Sequence, residues 1–195
     1  TLLMTFIQAQ PNLIGMCPEG GLQFGSIFNY TVGDTVLSNV HELEGNPGYS
    51  IVQNGMIEIS GKLYGCLGHG GAYSSGIIYE YDPVTNNYTS IYDSISPTGS
   101  YPYCDLVLAT NGLCYGITSY GGINNRGVIF EFDIATKTYT KKFDLNDSLG
   151  GISYSTMIQA TNGKLYGLTR DGGISNSGVL FEYDYITSIY TVHFF

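Results

Sequence analysis

Three glutamates with matching neighbours are the residues best suited to do chemistry in this chain. Glu80, Glu131 and Glu182 follow one another at intervals of 51 residues, each between two aromatic residues. Paired carboxylates can transfer protons or hold a cation. Because these three occupy one position of a repeat, we expect them on symmetric strands, too far apart to meet. We predict that each glutamate makes a hydrogen bond within its own repeat unit or to the next unit.

A second group of reactive side chains lies just before three Gly-Gly pairs. Glu19, His69 and Asp171 each occur at a position that differs between the copies of the repeat. An enzyme would need these groups to converge within hydrogen-bond reach of one substrate. The sequence shows no clustered nucleophile and no phosphate-binding loop. We therefore predict a non-enzymatic protein and keep an enzyme as an alternative.

The four cysteines are predicted to be structural. Cys66 and Cys114 stand where other repeat units have isoleucine or leucine, so both should pack in a core as small hydrophobic side chains. Cys104 is expected about five strand positions from Cys114, which is beyond the reach of a disulfide. The sequence has no Cys-x-x-Cys motif and no two histidines at ligand spacing. We therefore expect neither a metal nor a cofactor.

Four copies of one glycine-rich repeat must position these residues. Gly25, Gly76, Gly127 and Gly178 mark the copies at intervals of 51 residues. A period near 50 residues is typical of propeller blades such as those of kelch proteins. The predicted organisation is a single domain, 1–195, with blades at approximately 1–43, 44–94, 95–145 and 146–195.

Each repeat unit is predicted to form four antiparallel strands, A to D. In the fourth unit these cover residues 157–160, 164–169, 179–183 and 190–194. Asn-Gly between strands A and B predicts a type I′ hairpin, and the Asp after strand C is placed to cap the next turn. A glycine repeated within strand B predicts a close approach of the backbone or a bulge.

Such units bury both faces by stacking around an axis, so the fold class is all-β and the architecture a β-propeller of kelch-like four-stranded blades. A parallel β-solenoid is disfavoured by the Asn-Gly hairpins. The four units either close as a four-bladed ring or form part of a larger propeller. We favour a partial ring, because the sequence begins without Met and ends within the last unit. The apolar segment 1–7 lacks basic residues and is not predicted to be a signal peptide.

The repeat motif resembles two known families. A strand, Gly-Gly, a strand ending in Tyr-Asp-x-x-Thr and then an aromatic residue is similar to the kelch motif. The fuller string Gly-Lys-Leu-Tyr-Gly-x-Thr-x-x-Gly-Gly-x-x-x-x-Gly-Val-x-Phe-Glu-Tyr-Asp resembles the bacterial GloVer tandem repeat of secreted or surface-anchored proteins. This second resemblance implies export and display at a bacterial cell surface. It brings no catalytic residues.

Composition excludes two classes of partner. Seven Lys and Arg residues against 16 Asp and Glu residues give a net charge of −9, and no basic cluster is present, so nucleic acid is not expected to bind. No apolar stretch reaches the roughly 18 residues that a membrane helix needs, so we expect no membrane insertion by this segment.

The positions that differ between units gather at one predicted end of the blades. In an antiparallel blade the B–C and D–A loops share one end, and a rigid scaffold with variable loops is a common design for binding. Aromatic faces beside amides, acids and arginines suit sugar rings or extended peptides. The candidate ligand-binding residues are Glu19, His69, Tyr73, Tyr101, Tyr103, Tyr120, Arg126, Tyr154, Arg170 and Asp171.

Three functions follow from these patterns. The first is a non-enzymatic extracellular or cell-surface module for adhesion or protein–protein interaction. Its partner would be a protein or glycan on a cell surface or in a larger secreted assembly. The second is a lectin-like propeller, and the third is an enzyme with its site at the loop-bearing end.

Overall fold

The chain folds into four antiparallel sheets. The computed structural model describes residues 5–9, 12–17, 25–31, 33, 38–43 and 55–194, in which one short 3₁₀ helix (Ser96–Thr98) accompanies sixteen strands. The strands are β1 (Thr5–Ala9), β2 (Asn12–Cys17), β3 (Ser26–Thr31), β4 (Ser38–Glu42), β5 (Ile57–Ile59), β6 (Lys62–Leu67), β7 (Ile77–Asp82), β8 (Asn87–Asp93), β9 (Val107–Leu108), β10 (Cys114–Ile117), β11 (Val128–Asp133), β12 (Thr138–Asp144), β13 (Ile158–Gln159), β14 (Leu165–Leu168), β15 (Leu180–Asp184) and β16 (Ile189–Phe194). Every set of four consecutive strands (β1–β4, β5–β8, β9–β12 and β13–β16) forms one sheet, in which the strands lie side by side in chain order.

Aspartate caps the turn between the third and fourth strands of a sheet. Asp184 Oδ1 accepts hydrogen bonds from the backbone N–H groups of Ile186 (3.0 Å) and Thr187 (3.2 Å). Asp82 and Asp133 make the same pair of bonds in their sheets. The predicted turn cap is confirmed in these three sheets, where it fixes the register of the outer hairpin.

The hairpins at Asn-Gly differ from the predicted type I′ turn. A type I′ turn needs positive φ at both central residues, but here only Gly112 (+83°) and Gly163 (+81°) have it. Asn111 Oδ1 instead accepts from the backbone N–H of Leu113 (3.1 Å), which produces a three-residue loop that ends in the glycine. Both central residues have positive φ in the second sheet, at Ser60 (+53°) and Gly61 (+80°).

Glycines in the second strand of the second, third and fourth sheets let aromatic rings lie against the backbone. A Cβ atom on Gly116 would stand 2.2 Å from Cζ of Phe130, and one on Gly65 would stand 2.5 Å from Oη of Tyr79. The predicted close approach is confirmed. A β-bulge does occur at one position of all four sheets, but it lies between the third and fourth strands.

Neighbouring sheets pack through one repeated aromatic contact. The rings of Tyr92 and Tyr139 stack at 4.2 Å between the second and third sheets, and those of Phe143 and Tyr190 at 4.4 Å between the third and fourth. The Tyr139 hydroxyl also donates to the carbonyl of Thr98 (2.8 Å). Cys66 and Cys114 are buried in this core, as predicted, and neither forms a disulfide.

One face of the fourth sheet stays uncovered by the described residues. Ile117 of the third sheet is 1% exposed, whereas Leu168, its equivalent in the fourth sheet, is 55% exposed. Ile158 on the same sheet is exposed as well. The fourth sheet covers the third, and the same apolar positions on the fourth sheet face solvent.

Removal of one buried hydroxyl is expected to stabilise the fold. Tyr88, Tyr139 and Tyr190 are equivalent, and the Tyr88 hydroxyl is buried without a hydrogen-bond partner among the described residues. Tyr88→Phe should raise the free energy of unfolding by about 1 kcal/mol, since an unpaired buried hydroxyl costs about 1–3 kcal/mol. Tyr139→Phe should lower it by about 1 kcal/mol, because it loses the bond to Thr98. Urea denaturation measures both, and equal losses in the two variants would contradict this account.

Candidate functional site

The three repeated glutamates make hydrogen bonds and ion pairs within their own sheets. Tyr64 of the second strand donates a hydrogen bond to Glu80 of the third (2.9 Å), and Tyr166 donates one to Glu182 (2.5 Å). A lysine of the same sheet pairs with each carboxylate, as Lys164 does with Glu182 at 2.5 Å. The prediction of hydrogen bonds within each unit is confirmed, and the contacts bind the middle strands together.

Glu182 is expected to titrate far below an ordinary glutamate. The Lys164 ammonium, followed by the Tyr166 hydroxyl and His193, lowers the pKa of Glu182 from 4.5 to about 2. Folding therefore favours the ionised form, and this contribution to stability is present above pH 4.5 and lost as the pH falls toward 2. Carbon-detected NMR should place its midpoint at about 2.

The control uses equivalent lysines in two sheets. Lys164→Met should raise the Glu182 midpoint toward its ordinary value, whereas Lys62→Met, which removes the partner of Glu80, should leave it unchanged. A wild-type midpoint near 4.5 would show that the pair does not hold the carboxylate ionised.

The loop between one sheet and the next joins the variable loops of both sheets. Tyr101 donates its backbone N–H to the carbonyl of Ser75 (2.7 Å), and Ser100 exchanges two backbone bonds with Tyr120 (2.9 and 3.1 Å). The next loop along the chain repeats these contacts, between Ile152 and Arg126 and between Gly151 and Asp171. The B–C and D–A loops therefore share one end of the sheets, as predicted, and that end is called the loop end below.

Five of the predicted residues form one aromatic cluster at the loop end. The His69 ring contacts the ring of Tyr101 at 5.2 Å, and Tyr101 contacts Tyr120 at 5.8 Å. His69 Nε2 is 2.7 Å from the Tyr103 hydroxyl, and the Tyr103 ring lies 5.7 Å from that of Tyr154. Burial lowers the pKa of His69, so the imidazole is neutral near pH 7. These rings come from loops of three units, which only folding brings together.

Three of the four charged residues of the prediction, Arg126, Arg170 and Asp171, border this cluster. Arg170 binds Asp171 through two nitrogens, at 2.7 and 2.8 Å, and its guanidinium lies 5.4 Å from the centre of the Tyr154 ring. Arg126 forms an ion pair with Asp147 and stands 4.0 Å from Asp171. The hydrogen bond from Arg170, assisted by the charge of Arg126, lowers the pKa of Asp171. The cations and anions thus neutralise one another.

The remaining predicted residues are Tyr73 and Glu19. Tyr73 lies in a variable loop and is 58% exposed, outside the ring contacts found among the described residues. Glu19 lies outside the described residues. The alternative of an enzyme built on Glu19, His69 and Asp171 therefore stays a prediction.

A depression opens at the loop end between the second and third sheets. Its volume is about 460 Å³, and its lining carries hydroxyl, amide and aromatic groups but no charge. The lining residues are Ser75, Ser96, Ser100, Tyr101, Tyr120 and Asn125. Sequence reasoning identified the two tyrosines and missed the others. The available signal was that serines stand where the next unit has Arg126 and Asp147.

The equivalent place between the third and fourth sheets is filled. The Arg126 side chain lies against Gly151, where an added Cβ would be 3.1 Å from Cβ of the arginine, and it reaches Asp147 and Asp171. These four residues occupy the repeat positions of Ser75, Ser100, Ser96 and Tyr120. The same repeat position is thus filled by an ion-paired arginine between the third and fourth sheets and is open between the second and third.

Residues 55–194 and the described ranges before them contain no group of three His, Cys, Asp or Glu side chains able to hold a metal ion. The same ranges form no helix long and apolar enough to cross a membrane.

Comparison with known proteins gives one family and a fold. The model of the Gloeobacter/Verrucomicrobia repeat matches residues 4–195, while no curated protein matches the sequence. An extracellular domain assigned to a hybrid two-component system of B. thetaiotaomicron is 12% identical, with a TM-score of 0.64 over 97% of this chain and 22% of that one. TolB of Acinetobacter baumannii is 11% identical, with a TM-score of 0.58 over 94% of this chain and 41% of that one.

A puromycin-hydrolyzing peptidase of Mycobacterium tuberculosis is also 11% identical, with a TM-score of 0.55 over 93% of this chain and 26% of that one. At such identities the likeness is one of fold, and these neighbours are β-propeller-like. This chain spans less than half the length of each of the three proteins.

Proposed function

Because the chain belongs to the Gloeobacter/Verrucomicrobia repeat family, we propose that it is a non-enzymatic module of a bacterial cell surface or secreted assembly, which binds protein or glycan partners at its loop end. The match confirms the resemblance to the GloVer repeat. The observation that carries the proposal is the convergence of five predicted aromatic residues from three units into one cluster bordered by paired charges. Rigid aromatic side chains beside arginine are the composition of protein-binding hot spots.

The proposed architecture is a kelch-like propeller in which the four sheets are successive blades. The repeated stacking contacts, Tyr92 on Tyr139 and Phe143 on Tyr190, support an arrangement that advances by one constant step. The exposed Leu168 supports a larger ring, because the equivalent Ile117 is buried by the next sheet. In this proposal another four-stranded unit covers the free face of the fourth sheet.

The groups that acid–base chemistry would need have structural partners. The Asp171 carboxylate is held by Arg170, and the His69 imidazole lies within hydrogen-bond distance of the Tyr103 hydroxyl. These contacts favour a binding role over catalysis. Likeness to an extracellular domain, together with a sequence in which only 12% of residues are charged, supports a place outside the cell.

The proposal is tested by retention of surface material on beads. The purified chain is immobilised and exposed to proteins and polysaccharides released from the surface of the bacterium that produces it. A loop-end variant, Tyr154→Ala with Arg170→Ala, should reduce retention about tenfold or more, as loss of an aromatic or arginine hot spot does. A control at the opposite end, Val84→Ala with Ile186→Ala, changes two exposed residues and should retain as much as the wild type. Equal retention by the loop-end variant and the wild type, or none by any of them, would overturn the proposal.

A further inference from the structure

We propose that the depression between the second and third sheets binds the ring of a neutral sugar. This inference rests on the proposed binding role of the loop end and names a ligand class for one site there. The site is the pocket of about 460 Å³ lined by Ser75, Ser96, Ser100, Tyr101, Tyr120 and Asn125. Its volume falls within the range of about 300–1,000 Å³ that is usual for small-molecule sites.

The equivalent position between the third and fourth sheets is occupied by side chains of the protein itself. Between the third and fourth sheets, the Arg126 side chain extends across the position, with carboxylates of Asp147 and Asp171 as its partners. The open site has Ser75 in place of the arginine and Ser96 and Tyr120 in place of the two acids. Three changes at matched positions thus remove a polar filling and leave the surrounding backbone contacts in place.

The chemistry of the open site fits a polyhydroxylated ring. Serine hydroxyls both donate and accept hydrogen bonds, and an asparagine amide offers both kinds of group, as sugar hydroxyls require. The rings of Tyr101 and Tyr120 meet at 85°, with their centres 5.8 Å apart. A sugar can therefore place its C–H face on one ring while its hydroxyls meet Ser75 and Ser96, the two lining serines that are not buried.

Neutral ligands are favoured because the lining residues carry no charge. A cationic ligand would lack the two carboxylates that hold Arg126 in the filled site. An acidic sugar would meet no cation among the six lining residues. The class that remains is a neutral hexose, pentose or N-acetylhexosamine.

The site is also rigid before any ligand binds. Tyr101 donates its backbone N–H to Ser75 O (2.7 Å) and accepts a bond from Ser119 N–H (3.1 Å) at its own carbonyl. Asn125 Oδ1 accepts from the backbone N–H of Gly121 (3.0 Å), which orients the amide. A pre-formed site loses less conformational entropy on binding, which increases affinity.

The test is a saccharide microarray followed by saturation-transfer NMR on the whole chain. The probes are oligomers of glucose, galactose, mannose, xylose and N-acetylglucosamine, with glucuronic acid and glucosamine as charged comparators. At least one neutral probe should bind. The triple variant Ser75→Arg, Ser96→Asp, Tyr120→Asp introduces the arginine and the two acids of the filled site, with Ser100 retained where that site has Gly151, and it should weaken the binding of that probe tenfold or more. Ser177→Arg places the same arginine at the equivalent position of the fourth unit and should bind as the wild type does.

A single substitution keeps the test valid if the triple variant fails to fold. Ser96→Gln extends an exposed side chain at the edge of the depression, so it should fold normally and weaken sugar binding. The proposal is overturned if no neutral probe binds, if only charged sugars bind, or if folded variants bind as well as the wild type. Should it fall while loop-end-dependent retention on beads persists, the proposed function stands. Loss of both results would remove the proposed function as well.

Discussion

Replacement of Gly127 by alanine should destabilise the protein by about 2–5 kcal/mol. Gly127 has a φ of +97°, and a Cβ atom there would lie 2.1 Å from the carbonyl oxygen of Thr118. The left-handed conformation costs an L-residue about 1–2 kcal/mol, and displacement of a packed backbone adds about 1–3 kcal/mol. Gly127 adjoins Arg126 in the variable loop, so the loop end should lose its packing too. Urea denaturation followed by circular dichroism measures the change.

A second glycine provides the control for backbone conformation alone. Gly112 has a φ of +83°, but an added Cβ would meet nothing within 4 Å. Gly112→Ala should therefore cost only about 1–2 kcal/mol, the conformational part. If Gly127→Ala and Gly112→Ala lower the free energy of unfolding equally, the contact of the added Cβ with the Thr118 carbonyl does not contribute to the loss, in contradiction to this account.

Truncation of Phe130 is expected to cost about 3–5 kcal/mol. The Phe130 side chain is fully buried and stacks on Tyr139 at 4.9 Å. It also lies across Gly116, where a residue with a Cβ atom would leave no space for the ring. Phe130→Ala removes these contacts within the third sheet, beneath Tyr139, which stacks on Tyr92 of the second sheet. The second and third sheets also position the depression. Phe130→Ala should therefore lower both the midpoint temperature of unfolding and the affinity for the sugar.

The matched control for Phe130 lies on the surface. Ile186→Ala removes an apolar side chain that is largely exposed, and should change stability by less than about 0.5 kcal/mol. A loss of under about 1 kcal/mol in Phe130→Ala would mean that the core tolerates the cavity, in contradiction to the packing described here.

The sequence predicted most of the fold because its signals are local and repeated. Alternation of strands with Gly and Asp turns indicated four-stranded antiparallel sheets, and the caps at Asp82 and Asp184 are present. The Asn-Gly turns were misassigned because the Asn111 side chain bonds a backbone N–H two residues on, which allows Asn111 a negative φ. The propensity of Asn-Gly for type I′ turns does not take account of that competing side-chain hydrogen bond.

The depression could not be predicted because it depends on contacts between units. Its walls come from residues 75, 96–101 and 120–125, which the sequence places in separate loops. The backbone bonds of Tyr101 and Ser100 to both neighbouring loops bring them together. Comparison of equivalent positions, such as Ser75 with Arg126, becomes informative only when the filled site is seen.

One scaffold therefore supports two outcomes at the same repeat position. An ion-paired arginine closes the loop end between the third and fourth sheets, and serines leave it open between the second and third. Because the backbone bonds are the same in both, substitution of a few side chains can open or close the depression while these backbone bonds remain. Under the proposal that the depression binds a sugar, such variation among units is a source of different binding sites.

The most direct test of the central claim is hydrogen–deuterium exchange with and without the material retained on the beads. Binding at the loop end should slow exchange in residues 69–76, 95–103, 119–127 and 151–155, while the turns at 60–62, 82–87 and 111–113 exchange as before. Slower exchange confined to those turns would place the partner at the opposite end of the sheets and contradict the account.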